Sequence, residues 1–137
     1  MPRSLAQSVA VITGASSGIG RATALAFAQH GATVVVAARR HQALAEVVAA
    51  CEHSGTRALA VRTDVSSESG VSQLAEKAVE AFGRVDVWIN NAAVTLFGRF
   101  EETPLEVYRR VIETNLFGCR QHLRADASVR HRERRLA

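Results

Sequence analysis

Cysteine is nearly missing from this chain. Cys51 and Cys119 are the only two in 137 residues, and neither sits in a CxxC pair or at metal-ligand spacing from a histidine. That excludes a disulfide scaffold and leaves no zinc site, so no metal is expected. Long apolar runs are missing too. The N-terminal stretch MPRSLAQSVAVITG is interrupted too early for a signal peptide or a membrane span, which makes a cytoplasmic protein with no membrane partner the expectation. Net charge is absent from most of the chain. The formal total is +4, yet residues 1–119 hold eleven basic and eleven acidic side chains. The excess lies in residues 120–137, where Arg120, Arg124, Arg130, Arg132, Arg134 and Arg135 face only Asp126 and Glu133. The body therefore gives no electrostatic reason to expect nucleic acid or an anionic surface. The tail has charge but no interleaved aromatics and no recognisable motif, so a basic-tail nucleic-acid binder stays an alternative with charge alone behind it.

What is present is a regular alternation of strand and helix in a chain long enough for one domain with a real core. Val9–Thr13 is a short β-branched apolar run, and Thr33–Ala38 (TVVVAA) lacks polar alternation, as an interior strand should. Between them, Ile19, Ala22, Leu25, Ala26 and Ala28 recur at helical spacing up to His30, and Gly31 closes the segment. His41–His53 is a second helix with Leu44, Val47 and Val48 on one stripe, and Thr56–Arg62 a third strand. Ser66 or Ser67 caps a helix over Glu68–Phe82, whose inward face carries Val71, Leu74, Ala75, Ala78, Val79 and Phe82. Val85–Asn90 is a fourth strand, with Trp88 read as core and Asp86 as an edge or turn carboxylate. Thr103 as cap and Pro104 at the first helical position start a helix running to about Asn115. Strict alternation of this kind predicts an α/β fold with a parallel sheet and right-handed crossovers. His30 and His41 read as surface or capping residues rather than bases, and His53, His122 and His131 have no partner spacing for a metal.

The chemistry-bearing stretch is TGASSGIG, residues 13–20, placed where the first strand turns into the first helix. Gly14 permits a tight turn, Gly18 close approach of backbone to a pyrophosphate, and Gly20 close packing of helix on sheet. Free N–H groups at the helix start then face the phosphates, with Ser16 and Ser17 as added donors. No Gly-Lys-Ser/Thr follows, which excludes an ATP-type phosphate loop. The second strand ends in VVVAARR. A carboxylate at Ala38 would accept from both ribose hydroxyls and mark NAD; instead Arg39 and Arg40 follow, suited to a 2′-phosphate. NADP is the expected cofactor and NAD the second choice. Arg40 is equally readable as a solvated helix-start arginine.

With TGASSGIG, AARR, Asp64–Val65 after the third strand, NNAA at 90–93 and Asn115 in VIETNLFG, the chain resembles the short-chain dehydrogenase/reductase family over residues 8–119. The resemblance implies a Rossmann-like dinucleotide-binding sheet with strand order 3-2-1-4, flanked by helices. It implies that Gly14, Ser16, Ser17, Gly18, Ile19, Gly20, Arg39 and Arg40 bind the cofactor. Asp64 and Val65 would hold the adenine, and Asn90, Asn91 and Ala92 would line the cofactor and steady the central strands. Asn115 would be the catalytic-tetrad asparagine of a proton relay. Two departures bear on function. Ala93 stands where the family usually has glycine, and a positive φ there would cost on the order of 1 kcal/mol. The family's serine and Tyr-x-x-x-Lys pair have no counterpart: the sole tyrosine is Tyr108, a packing or surface residue of the fourth helix, and the sole lysine is Lys77.

The expectation is thus an NADP-dependent oxidoreductase of alcohols and carbonyls by family, with an incomplete catalytic site. Its substrate would be a small carbonyl or alcohol only if the missing half is present. Residues 1–119 are read as a Rossmann domain truncated before its second half, and 120–137 as a family-atypical tail. A catalytically silent dinucleotide-binding or interaction protein is the alternative. An uncovered fourth strand, guarded only by Asp86, predicts self-association through that edge.

Overall fold

A computed structural model describes residues 4–120 of the chain. Strand β1 (Val9–Thr13) is buried at every position, because five apolar or hydroxyl-bearing residues in a row need cover on both sheet faces. It pairs in parallel with β2 (Thr33–Ala38) on one side and β4 (Val87–Ile89) on the other, so that Val11 lies between Val35 and Trp88. Strand β3 (Ala58–Arg62) pairs with the far side of β2, giving the parallel order β3-β2-β1-β4. That is the expected Rossmann-like sheet.

Period-two alternation along the strands divides the core into two layers. Ile12, Val34 and Val36 meet α1 (Gly18–Gln29) and α2 (His41–Glu52) through Ala24, Ala28, Leu44, Val47 and Cys51. Val9, Val11, Val35, Ala37 and Val61 meet α3 (Glu68–Phe82) through Val71, Leu74, Ala75 and Ala78. Full burial of Leu44 or Leu74 contributes about 1.5–3 kcal/mol each. Helix α3 is capped as its sequence predicts: the Ser67 hydroxyl accepts from the Gly70 N–H at 3.2 Å, and Gly83, at φ 79°, ends it. Ser66 is the serine that does not cap.

Four local expectations are corrected. The buried stripe of α1 is Gly20, Ala24 and Ala28, while Ile19, Ala22 and Ala26 are exposed. The helix turns its smallest residues to the sheet because the glycine turn brings it in close. Strand β3 starts at Ala58, since the Thr56 hydroxyl is engaged by the Cys51 carbonyl at the end of α2. Strand β4 has three residues, not six, because Asp86 enters the sheet through its side chain. Its carboxylate accepts from the Val9 N–H at 2.9 Å and from Arg84 at 2.8 Å, and its own N–H donates to the Val9 carbonyl. Asp86 is therefore a tie between β4 and β1 rather than a guard on the open edge. Finally, Pro104, with ψ 142°, is the cap of α4 (Leu105–Ile112), since the Thr103 hydroxyl is spent on the Arg99 carbonyl. Beyond Ile112 the helix widens into a π-type turn over Glu113–Phe117, which contains Asn115. The basic tail beyond Arg120 lies outside the described residues.

Candidate functional site

The turn after β1 shows why its glycines stand where they do. Gly14 has φ 65°, and a Cβ there would come 2.8 Å from the Ala92 Cα. A Cβ on Gly20 would overlap the Gly14 carbonyl and the Asn91 amide. Gly18 opens α1 at φ 55° with no neighbour in the way, so it serves handedness and leaves space in front of the turn. Ser17 is the N-cap residue of α1, but its side chain makes no capping bond. Instead the Arg40 guanidinium reaches across and donates to Ser16 and Ser17, each at 3.3 Å.

Thr13, which the sequence reading passed over, holds this turn to the loop after β4. Wholly buried, its hydroxyl donates to the Ile89 carbonyl and accepts from the N–H groups of Asn91 (3.2 Å) and Ala92 (3.1 Å). The Asn91 amide answers by donating to the carbonyls of Thr13 (3.0 Å) and Gly14 (3.2 Å). Farther along the loop, Asn115 clamps Val94. Its Oδ1 accepts from the Val94 N–H and its Nδ2 donates to the Val94 carbonyl, both at 2.9 Å. Ala93 between these ties carries no strain, because no described non-glycine residue has positive φ. The penalty weighed for it is therefore absent from this conformation.

These elements enclose a cleft of about 800 Å³ at the carboxyl ends of the strands, where open α/β sheets place ligands. Gly14, Ser16 and Ser17 line it from the turn, Arg39 and Arg40 from the end of β2, Asp64 and Val65 from the end of β3, and Asn91 and Ala92 from the loop after β4. Gly18 and Gly20 belong to the turn and the helix start behind it. Ile19 is 79% exposed and, like Asn90 at the end of β4, is not part of the lining. Asn115 reaches the cleft only through Val94. Sequence reasoning missed Arg110, Glu113 and Thr114, which complete the lining from α4 and the turn after it. Their i, i+3, i+4 spacing is the signal that places all three on one helical face.

Asp64 is the cleft carboxylate with a perturbed acidity. The Ser66 hydroxyl (2.7 Å) and N–H (3.0 Å) donate to its Oδ1 and hold its pKa below the usual carboxylate value, with Arg39 and Arg110 adding to the effect. It is therefore an anion and a pure acceptor at neutral pH. Tyr108 is far from such a role: its hydroxyl donates to the Phe100 carbonyl and its ring packs 5.3 Å from that of Phe100. Among the described residues, no group of three His, Cys, Asp or Glu could hold a metal ion, and no helix is long and apolar enough to cross a membrane.

A family model described as short chain dehydrogenase matches residues 8–128, which spans the sheet, the glycine turn and every wall of the cleft. The chain is a short-chain dehydrogenase family member. It is 45% identical over 116 residues to an uncharacterized oxidoreductase of Bacillus subtilis, covering 85% of this chain and 33% of that protein. A short-chain dehydrogenase/reductase structure from Mycobacterium marinum superposes with TM-score 0.88 at 35% identity, over 92% of this chain and 51% of that one. An alcohol dehydrogenase from Thermococcus sibiricus, solved with 5-hydroxy-NADP, gives TM-score 0.85 at 36% identity, over 89% and 52%. This short-chain dehydrogenase sequence thus spans between a third and about half the length of these relatives.

Proposed function

We propose that the cleft binds NADP(H), and that this chain is the cofactor-holding part of an oxidoreductase that interconverts alcohols and carbonyls. The observation that carries the reading is the meeting of three sequence-distant features in one cavity: the glycine turn, the Arg39–Arg40 pair and Asp64–Val65. The fit is steric as well as chemical. Side chains are excluded at Gly14 and Gly20, Gly18 leaves open space, and the start of α1 faces the turn with the N–H groups a pyrophosphate needs. Arg39, with no carboxylate at Ala38, favours a 2′-phosphate over a bare ribose. The Thermococcus sibiricus relative, solved with an NADP derivative, supports the same choice.

When bound, the nicotinamide supplies or accepts the hydride. The residues of this chain hold and orient it: Ser16, Ser17 and the turn at the phosphates, Asp64 and Val65 at the adenine, Asn91 and Ala92 along the middle. Asn115 would contribute to a proton relay, and its amide already fixes the Val94 wall. No Tyr-x-x-x-Lys pair occurs in these 137 residues, so in this reading the polypeptide binds the dinucleotide without turning over. A cytoplasmic location belongs to the same proposal, as does self-association through β4, which among the described residues pairs only with β1.

Calorimetric titration of the chain with NADPH and NADH tests the cofactor. NADPH binds more tightly if the reading holds, and equal or tighter NADH binding overturns it. Arg39→Ala should weaken NADPH binding by about 1.5–3 kcal/mol, the range for a hydrogen bond to a charged group. Turnover of simple ketones or secondary alcohols that depends on Asn115 would show that another group supplies the proton. Sedimentation velocity reads the β4 edge: mass should rise with concentration, and a strictly monomeric sample contradicts the association.

A further inference from the structure

The cleft contains one cation that neither the glycine turn nor the β2 end supplies. Arg110 projects from α4 into the same cavity wall as Arg39 and Asp64, although the three come from three different connections of the fold. Among the described residues no side-chain hydrogen bond or salt bridge ties its guanidinium down, whereas Arg40 is braced on Ser16 and Ser17. Three guanidinium groups and two carboxylates, Asp64 and Glu113, therefore share the lining.

We infer that Arg110 is a specificity-determining residue, which offsets the charge of Asp64 at the adenosine end of the cleft and so admits a phosphorylated ribose there. The inference rests on the dinucleotide reading above and deepens it. The hydroxyl and N–H of Ser66 hold the exposed Asp64 carboxylate in this turn. A 2′-phosphate entering beside it meets like charge, and Glu113 adds to the repulsion. Arg39 opposes that from the β2 side. Arg110 opposes it from the α4 side, and both arginines act on Asp64 electrostatically. A dinucleotide without the 2′-phosphate brings no extra charge to this end, so its affinity does not depend on the balance. Arg110 thus acts on the incoming phosphate by its own charge, in parallel with Arg39 and against Asp64.

The test is titration of the full chain with NADPH and with NADH, for the wild type, Arg110→Ala, Arg110→Lys and Asp64→Asn/Arg110→Ala. Arg110→Ala should lose about fivefold in NADPH affinity, the upper end for an exposed charge pair, and leave NADH within twofold. Arg110→Lys should keep most of the NADPH preference. In the Asp64→Asn background, removal of Arg110 should cost NADPH about as much as in the wild type, because fixed charges act additively on the phosphate. An unchanged NADPH to NADH ratio in Arg110→Ala overturns the inference while leaving the cofactor reading intact. A loss that disappears with the Asp64 charge overturns the direct action of Arg110 on the phosphate. A wild type that binds neither dinucleotide overturns the cofactor reading itself, and this inference with it.

Discussion

Residues 8–85 and residues 90–117 are built on opposite terms. Every buried apolar side chain of the core, from Val9 to Val85, lies in the first stretch. In the second, Phe97, Phe100, Leu105, Val107, Ile112, Leu116 and Phe117 are all exposed, and α4 buries none of its residues. The first stretch is held by two hydrophobic layers on a parallel sheet. The second is held by directed polar bonds: Asn91 on Thr13 and Gly14, Asn115 on Val94. Gly118 adds one close approach, since a Cβ there would come 3.1 Å from the Val65 carbonyl. The difference teaches that packing on the sheet sets most of the β1, β2 and β3 ends of the cleft. The α4 side is placed by a few hydrogen bonds and the Tyr108–Phe100 ring contact, and Leu105, Val107 and Ile112 of α4 are exposed.

The contrast is broken most directly in the cores. Leu74→Ala should destabilise the fold by about 2–5 kcal/mol in chemical denaturation, while Leu116→Ala, equally large a truncation, should change it by less than about 0.5 kcal/mol. Similar values for both would mean that the turn after α4 is packed as tightly as α3. Next in size is the glycine turn at the seam. Gly20→Ala should cost about 1–3 kcal/mol and abolish dinucleotide binding, because the added methyl overlaps Gly14 and Asn91. Gly18→Ala, with open space but φ 55°, should cost only about 1 kcal/mol.

Asn115→Leu should leave the global transition within about 1 kcal/mol, as loss of a pair of half-exposed hydrogen bonds allows, yet speed exchange of the Val94 amide selectively. Uniform acceleration across the sheet would show that the two stretches unfold together. The smallest effect concerns Asp64. Its folded pKa lies below the ordinary 3.8, so its stabilisation is complete above that value and is lost as pH falls through the lower, folded one. Asp64→Asn should therefore lower Tm slightly at pH 7 and by progressively less as pH falls below 3.8. A gap that widens in acid contradicts the bond to Ser66.

Legibility followed the same division. Strands β1 and β2 and helix α3 could be read to the residue, since continuous apolar runs and a Ser–Gly capped amphipathic stripe have few alternative structures. In α1 the apolar count misled: Ile19, Ala22 and Ala26 were as apolar as Ala24 and Ala28, and only the close approach at Gly20 decides which side turns inward. Thr13 was invisible as a site residue because a threonine at a strand end has an ordinary explanation, and its three partners come from the far side of the sequence. Asp86 misled for a similar reason, since its bond to Val9 joins residues that only the sheet makes neighbours.

By itself the sequence determined the alternation of strand and helix, the parallel sheet, the glycine turn and the pair of arginines beside it. Those are short-range facts, set by hydrophobic period, backbone conformational freedom and side-chain charge. The tertiary structure alone decided that Arg40 braces Ser16 and Ser17, that Asn115 clamps Val94 through a widened turn, and that Arg110 shares a wall with Asp64. Each of these depends on where two separate segments cross. Local propensity holds no information about such a crossing; packing of the helices on the sheet supplies it.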